Sequence, residues 1–479
     1  MPRRHHPLRR QLSSRHIAGA LGLRIAIFVA SAGCFTSLGS TRSLAATHSP
    51  CRVQSTTFEG WKAEEVSNDW VRLTIVPQLG GRLMQVTFAG HAYLFVNSQY
   101  KGKYFPPSET AKIGRWINYG GDKLWPLPEG QGDEHWPGPI SDVLDDGEYK
   151  FGVLSQGSAC VVRLEGPADP VTGLRYSREI AIASDSPAIS FHAEMKNSTS
   201  HPIRWSVQSV TQYDTADPHD PAKYNRDFWA FAPINPQSAY INGFLVRAGL
   251  ADDPSFSVMD GLFTLHWLYL ENEVWLDSDA GWIAVVDDAA NYGMVERFQY
   301  FSTAEYPGKA SVIFYKNGAA LDLDANGMPK LRSATLQQAP YYMEAELNSP
   351  TIRLEPDASY AMETRWFPVR ADKELKAVTP AGVVLRALAA SLTAKGLQLS
   401  GSFGAFFPGR LVAHVFDLRG SEIAAADLQS VDPQAPLELQ QTIKAPAGAY
   451  RVSIHLVDEH GVDCGSLGEA EIRRQATGS

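Results

Sequence analysis

The chain has 479 residues and a formal net charge of −9 at pH 7, with 44% hydrophobic and 20% charged residues. That length allows more than one domain at roughly 100–200 residues each, and the composition fits a globular protein. An acidic chain argues against nucleic acid or an anionic membrane surface as its partner.

The first 45 residues differ from the rest. They hold seven Arg and no Asp or Glu, an apolar run beginning at Ile25–Val29, and small residues at Ser43-Leu44-Ala45-Ala46. A basic start, an apolar middle and a small-residue cleavage site predict an export signal over 1–45. Its removal takes seven positive charges from −9 and leaves −16. Arg24 interrupts the apolar run, which is then too short to span a bilayer, so no transmembrane segment is expected in the mature chain. The expected location is periplasmic or extracellular. Arg9-Arg10 leaves a twin-arginine route open, and Ser31-Ala32-Gly33-Cys34 is a weak lipoprotein box.

Of four Cys, Cys34 falls in the signal, leaving Cys51, Cys160 and Cys464. Three thiols allow at most one internal disulfide, with Cys51–Cys160 favoured because Cys464 lies far along the chain. There is no CxxC or Cys/His zinc spacing.

Downstream, alternation of period two dominates. Segments 70–77, 81–90, 177–197, 203–213, 281–288 and 310–318 read as strands bounded by Gly, Asn, Asp and Pro. No long helical repeat competes with them, so the fold class is all-β. A boundary is expected near 371–379, "ADKELKAVT". It separates a large domain over 51–370 from a small immunoglobulin-like β-sandwich over 380–475 with its own cycle of short strands. The size of the first domain suits two broad curved sheets with a concave, cleft-bearing face.

Several segments could carry chemistry. "PQLGGR" ends on Arg82, either a solvated hairpin residue or a planar fork of donors presented to a ligand. "NYGGDKLWPLPEGQGDEHWPGP", residues 118–139, packs two Trp, four Pro and five Gly into a short stretch. Trp125 and Trp136 could cover the apolar face of a sugar while Asn118, Asp122 and Lys123 bond its hydroxyls, or the Trp residues could pack on the core. Alternation over 204–212 places Arg204, Ser206, Gln208 and Gln212 on one strand face. Glu344 and Glu346 share a face in the same way. Their mutual repulsion when buried would raise at least one pKa and make a general base, unless they form an exposed acidic edge.

Among the histidines, His135 adjoins Trp136, His192 lies in a strand, and His266 sits beside Trp267 in an apolar strand. His266 is the best candidate acid, against the simpler reading of a core histidine. No metal or other cofactor is expected. Asp322-x-Asp324-x-Asn326-Gly327 starts like a calcium loop, but the twelfth position is Ser333 and Asn326-Gly327 reads as a hairpin turn. No phosphate-binding Gly motif or GxSxG is present.

In their order along the chain, "PQLGGRLMQVTFAGHAYLFVN", "NYGGDKLWPLPE", "HWPGPISDVLDDGEY", "RWSVQSVTQY", "VERFQYFSTAEYP" and "MEAELNSPTIRLEPDASYAMETRWF" resemble the galactose-mutarotase-like (aldose 1-epimerase-like) superfamily. Within it, the large domain is most similar to a bacterial domain family of unknown function. The resemblance covers most of 65–368 and excludes the C-terminal hundred residues. It implies a β-supersandwich with a sugar-sized cleft, and for active members a His acid and a Glu base. The Glu finds a match at Glu344 or Glu346. The His position falls on Gln208, with Gln212 second, and an amide is no acid near neutral pH.

Two functions therefore stand side by side. One is an exported carbohydrate-binding protein using Arg82, Asn118, Trp125, Trp136 and Gln208. The other is a sugar epimerase, mutarotase or lyase with Glu344 or Glu346 as base and His266 or Lys123 as proton partner.

Overall fold

A computed structural model describes residues 48–108, 117–128, 142–319, 321–323, 329–331 and 340–474. The expected export signal, Trp136 and His135 lie outside the described residues, as does most of the calcium-like loop.

The architecture is an all-β sandwich. Among the described residues, a 12-stranded sheet and a 10-stranded sheet face each other, and an eight-stranded sheet follows. The first begins at Arg52–Phe58, Trp61–Ser67, Val71–Val76 and Arg82–Phe88, which are sequential antiparallel neighbours. It then continues through strands far apart in sequence: Asp122–Leu127, Ile203–Asp214, Tyr342–Asn348, Val312–Lys316, Asn272–Leu276 and Leu245–Ala248.

Alternating burial explains why these segments are strands. In Ile203–Asp214, Val207 and Tyr213 join the core between the sheets, while Gln208 lines an open cavity on the opposite face. Both faces of the second sheet are covered in its middle. In Trp282–Asp287, Ile283 and Val285 enter the main core. Trp282, Ala284 and Val286 form another apolar cluster with Val383 and Leu385 of the C-terminal strands and with Phe406, just past the strand Gly396–Ala405. A strand buried on both faces reads as a continuous apolar run, as "WIAVV" does.

The predicted 177–197 run is two antiparallel strands, Leu174–Ala183 and Ile189–Asn197. Pro187 lies in the connection, where its missing N–H costs the ladder nothing. Leu437–Ile443 and Arg451–Asp458 match the C-terminal strand cycle expected from the sequence, and a separate core cluster fills their sheet. Cys51 and Cys160 are disulfide-bonded with Cα atoms 5.8 Å apart, and Cys464 is a free thiol.

Candidate functional site

Five neighbouring strands of the 12-stranded sheet build a cavity of about 720 Å³, within the roughly 300–1,000 Å³ typical of small-molecule sites. The register sets its floor in rows across the strands. Glu273, Tyr315, Glu344 and Gln212 form one row. Trp275, Ile313, Glu346, Val210 and Lys123 form the next. Asn348, Gln208 and Trp125 form a third. Because strand side chains alternate, every second residue of five segments converges on one face.

Carboxylates and amides interlock along these rows. Gln208 Nε2 donates to Glu346 Oε2, and Gln212 Nε2 donates to Glu344 Oε1. Burial raises the Glu344 pKa, opposed by the Gln212 bond and the nearby Lys123 charge. Burial likewise raises Glu273, whose carboxylate accepts from Trp275 Nε1 and feels the Arg247 charge. Lys123 Nζ lies 2.9 Å from Asp145 Oδ1 and 4.0 Å from the Trp125 ring centroid. At the exposed edge, Arg204 pairs with Glu305 at 2.5 Å.

The cavity thus gathers Lys123, Trp125, Gln208, Glu344 and Glu346 from the sequence-derived candidates, with Gln212 joined through its bond to Glu344. Other candidates do not line it. Arg82 is wholly buried, 2.5 Å from Asp145 Oδ1 and 3.3 Å from the Gly120 carbonyl. The "GGR" glycines make that pairing possible. Gly80 has φ +62°, and a Cβ there would stand 2.0 Å from the Asp145 carbonyl. Asn118 is buried, its Oδ1 accepting from Gly120 N–H at 3.0 Å. Asp122 is buried between the sheets, ion-paired with Arg178 and accepting from Ser209 and Thr211. These three therefore correct the ligand-contact expectation: none of them lines the cavity, and each makes buried contacts with internal partners.

His266 also stands elsewhere, on Leu262–His266 of the second sheet. Its ring stacks on Trp229 at 4.1 Å, and Nε2 contacts the Arg226 carbonyl at 2.5 Å. It is not placed to act as acid beside Glu344 and Glu346. His192 is on the second sheet too, bonded to Glu363.

Sequence reasoning missed Glu273, Trp275, Tyr315 and Tyr342, which line the cavity. The signal was alternation in Glu273-x-Trp275 and Ile313-x-Tyr315, but nothing local says that those strands lie beside Glu344. Among the described residues, no three His, Cys, Asp or Glu side chains converge to hold a metal ion.

The chain is similar in structure to galactose mutarotase-like proteins. A galactose mutarotase-like protein from Clostridium acetobutylicum matches 67% of this chain and 99% of its own, at 10% identity and TM-score 0.41. Slr1438 from Synechocystis matches 66% and 99%, at 10% identity and TM-score 0.44. A TPR-domain containing protein from Parabacteroides distasonis matches 64% of this chain at 15% identity and TM-score 0.43, and the match spans only 47% of that protein. No protein-family model and no curated protein matches the sequence.

Proposed function

We propose that this is an exported carbohydrate-binding protein whose ligand lies across the rows of the 12-stranded sheet. The observation that carries the reading is the composition of one cavity wall: Trp125, Trp275, Tyr315 and Tyr342 interleaved with Glu273, Glu344, Glu346 and Gln208. A pyranose presents apolar C–H faces and a polar hydroxyl rim, and such a wall offers ring surface and acceptors at strand spacing. The Cys51–Cys160 bond supports export, since structural disulfides persist in oxidising compartments. Among the described residues, no helix is long and apolar enough to cross a membrane. The strands over 380–475 would serve as an accessory sandwich.

A second reading, sugar epimerisation, is favoured by Glu344 and Glu346 standing two residues apart on one strand and both lining the cavity, with burial raising the Glu344 pKa. A protonated and an ionised carboxyl side by side would supply the acid and base that ring opening needs. The acid would protonate the ring oxygen as its bond to the anomeric carbon breaks, while the carboxylate takes the anomeric hydroxyl proton. Closure on the other face returns both protons.

A thermal-shift screen against monosaccharides, followed by anomer-exchange NMR on each hit, tests both readings. Binding without exchange supports the first. Exchange that Glu346→Gln abolishes supports the second. Absence of any sugar-dependent shift contradicts both.

A further inference from the structure

We propose that the Glu273–Tyr315–Glu344 end of the cavity selects sugars bearing a protonated amine, and rejects uronic acids and sugar phosphates. The inference rests on the sugar-binding reading and names its ligand class.

The charges are unequal. Among the described residues, Glu273, Glu305, Glu344 and Glu346 line the cavity against only Lys123 and Arg204. Arg204 is paired with Glu305 at the edge, and Lys123 with buried Asp145. Arg247 packs 5.6 Å over the Trp275 ring but does not line the cavity. An incoming carboxylate or phosphate would meet like charge where the low dielectric magnifies repulsion.

The geometry at this end suits a cation. Glu273 and Glu344 are the cross-strand neighbours of Tyr315 on its two sides. Their backbones are roughly 10 Å apart, two strand spacings. A group seated over the phenol ring is flanked by both carboxylates. An ammonium there gains the ring's attraction for cations as well as two acceptors.

The floor beneath Glu344 is also ordered. Gln212 is wholly buried, and its Nε2 is committed to Glu344. Its Oε1 has no hydrogen-bond partner among the described residues. Strand alternation puts Gln212 on the same face as Gln208 and Val210, which line the cavity. Gln212 does not itself line the cavity, so it backs the Glu344 carboxylate from beneath the floor, and a protonated amine above would offer that carboxylate up to three donors.

Ligand-observed NMR titration of the full chain at pH 7 tests the proposal. The probes are glucosamine, galactosamine and mannosamine, each beside its neutral parent, its N-acetyl derivative and the matching uronic acid. At least one hexosamine is expected to bind about tenfold tighter than its parent, the size of one moderate ionic contact, and uronic acids not at all. Glu273→Gln should reduce the amine preference at least threefold. The wild-type series is decisive even if that variant misfolds. Neutral sugars binding as well as their amines, or a uronic acid binding best, overturns the amine proposal and leaves the sugar reading standing. Failure of every sugar overturns both.

Discussion

Gln208 donates a hydrogen bond to Glu346 from the neighbouring strand, so the amide that takes the expected histidine's place is tied to one of the two candidate bases. An amide donor favours the ionised form of its carboxylate partner. Gln208→Leu removes it and leaves the buried Glu346 carboxylate without that donor, which should cost about 1–3 kcal/mol of stability at pH 7. Urea unfolding of both proteins measures the difference. An unchanged midpoint would contradict the role given to this bond.

Arg82 is predicted to matter for folding, not for ligand. It shares Asp145 with Lys123 in a buried cluster. Removing one partner of a buried pair costs about 3–5 kcal/mol. Arg82→Met should lower the urea midpoint accordingly, while the folded fraction retains sugar affinity within about twofold. Loss of affinity without loss of stability would return Arg82 to the site.

Glu296 makes stability fall as pH rises. It is buried between the sheets, its Oε1 accepting from Tyr213 Oη at 2.5 Å. Burial lifts its pKa from 4.5 to about 8, opposed by the Tyr213 bond. Between those values the folded chain keeps a proton that the unfolded chain has released, so raising pH across that window favours unfolding. Each pKa unit is worth about 1.4 kcal/mol at full effect, which gives a loss on the order of a few kcal/mol between pH 5 and 8. Glu296→Gln should flatten the profile over this window in urea titrations. A variant whose profile parallels wild type would contradict the assignment.

The Cys51–Cys160 bond closes a sequence separation of 109 residues. By chain entropy alone, a loop of that size is worth about 4–5 kcal/mol. Reduction, or a Cys51→Ser/Cys160→Ser double variant, should lower Tm by several degrees. Calorimetry with and without reductant reads the change. An unchanged Tm would mean that the closed loop does not constrain the unfolded chain.

The strands were legible because period-two alternation is a local signal. Val71–Val76 and Trp282–Asp287 fall within the segments read from sequence. The cavity was legible only in part. Glu344 and Glu346 share a face by simple alternation, but their setting depends on the register among strands near residues 122, 208, 273, 313 and 346. Pairing between distant segments leaves no local trace. Arg82 and Asp122 looked like ligand contacts because residue type shows hydrogen-bonding capacity and not who satisfies it. Their partners, Asp145 and Arg178, are 63 and 56 positions away.

Indole N–H resonances report directly on a sugar lying across the Trp125–Trp275 wall. Hexose or hexosamine titrated into nitrogen-labelled protein should shift the Trp275 and Trp125 signals saturably and together. Those of Trp61 and Trp366, buried outside the cavity, should stay fixed. No shift with any sugar, or saturable shifts confined to tryptophans away from the cavity, would contradict the account.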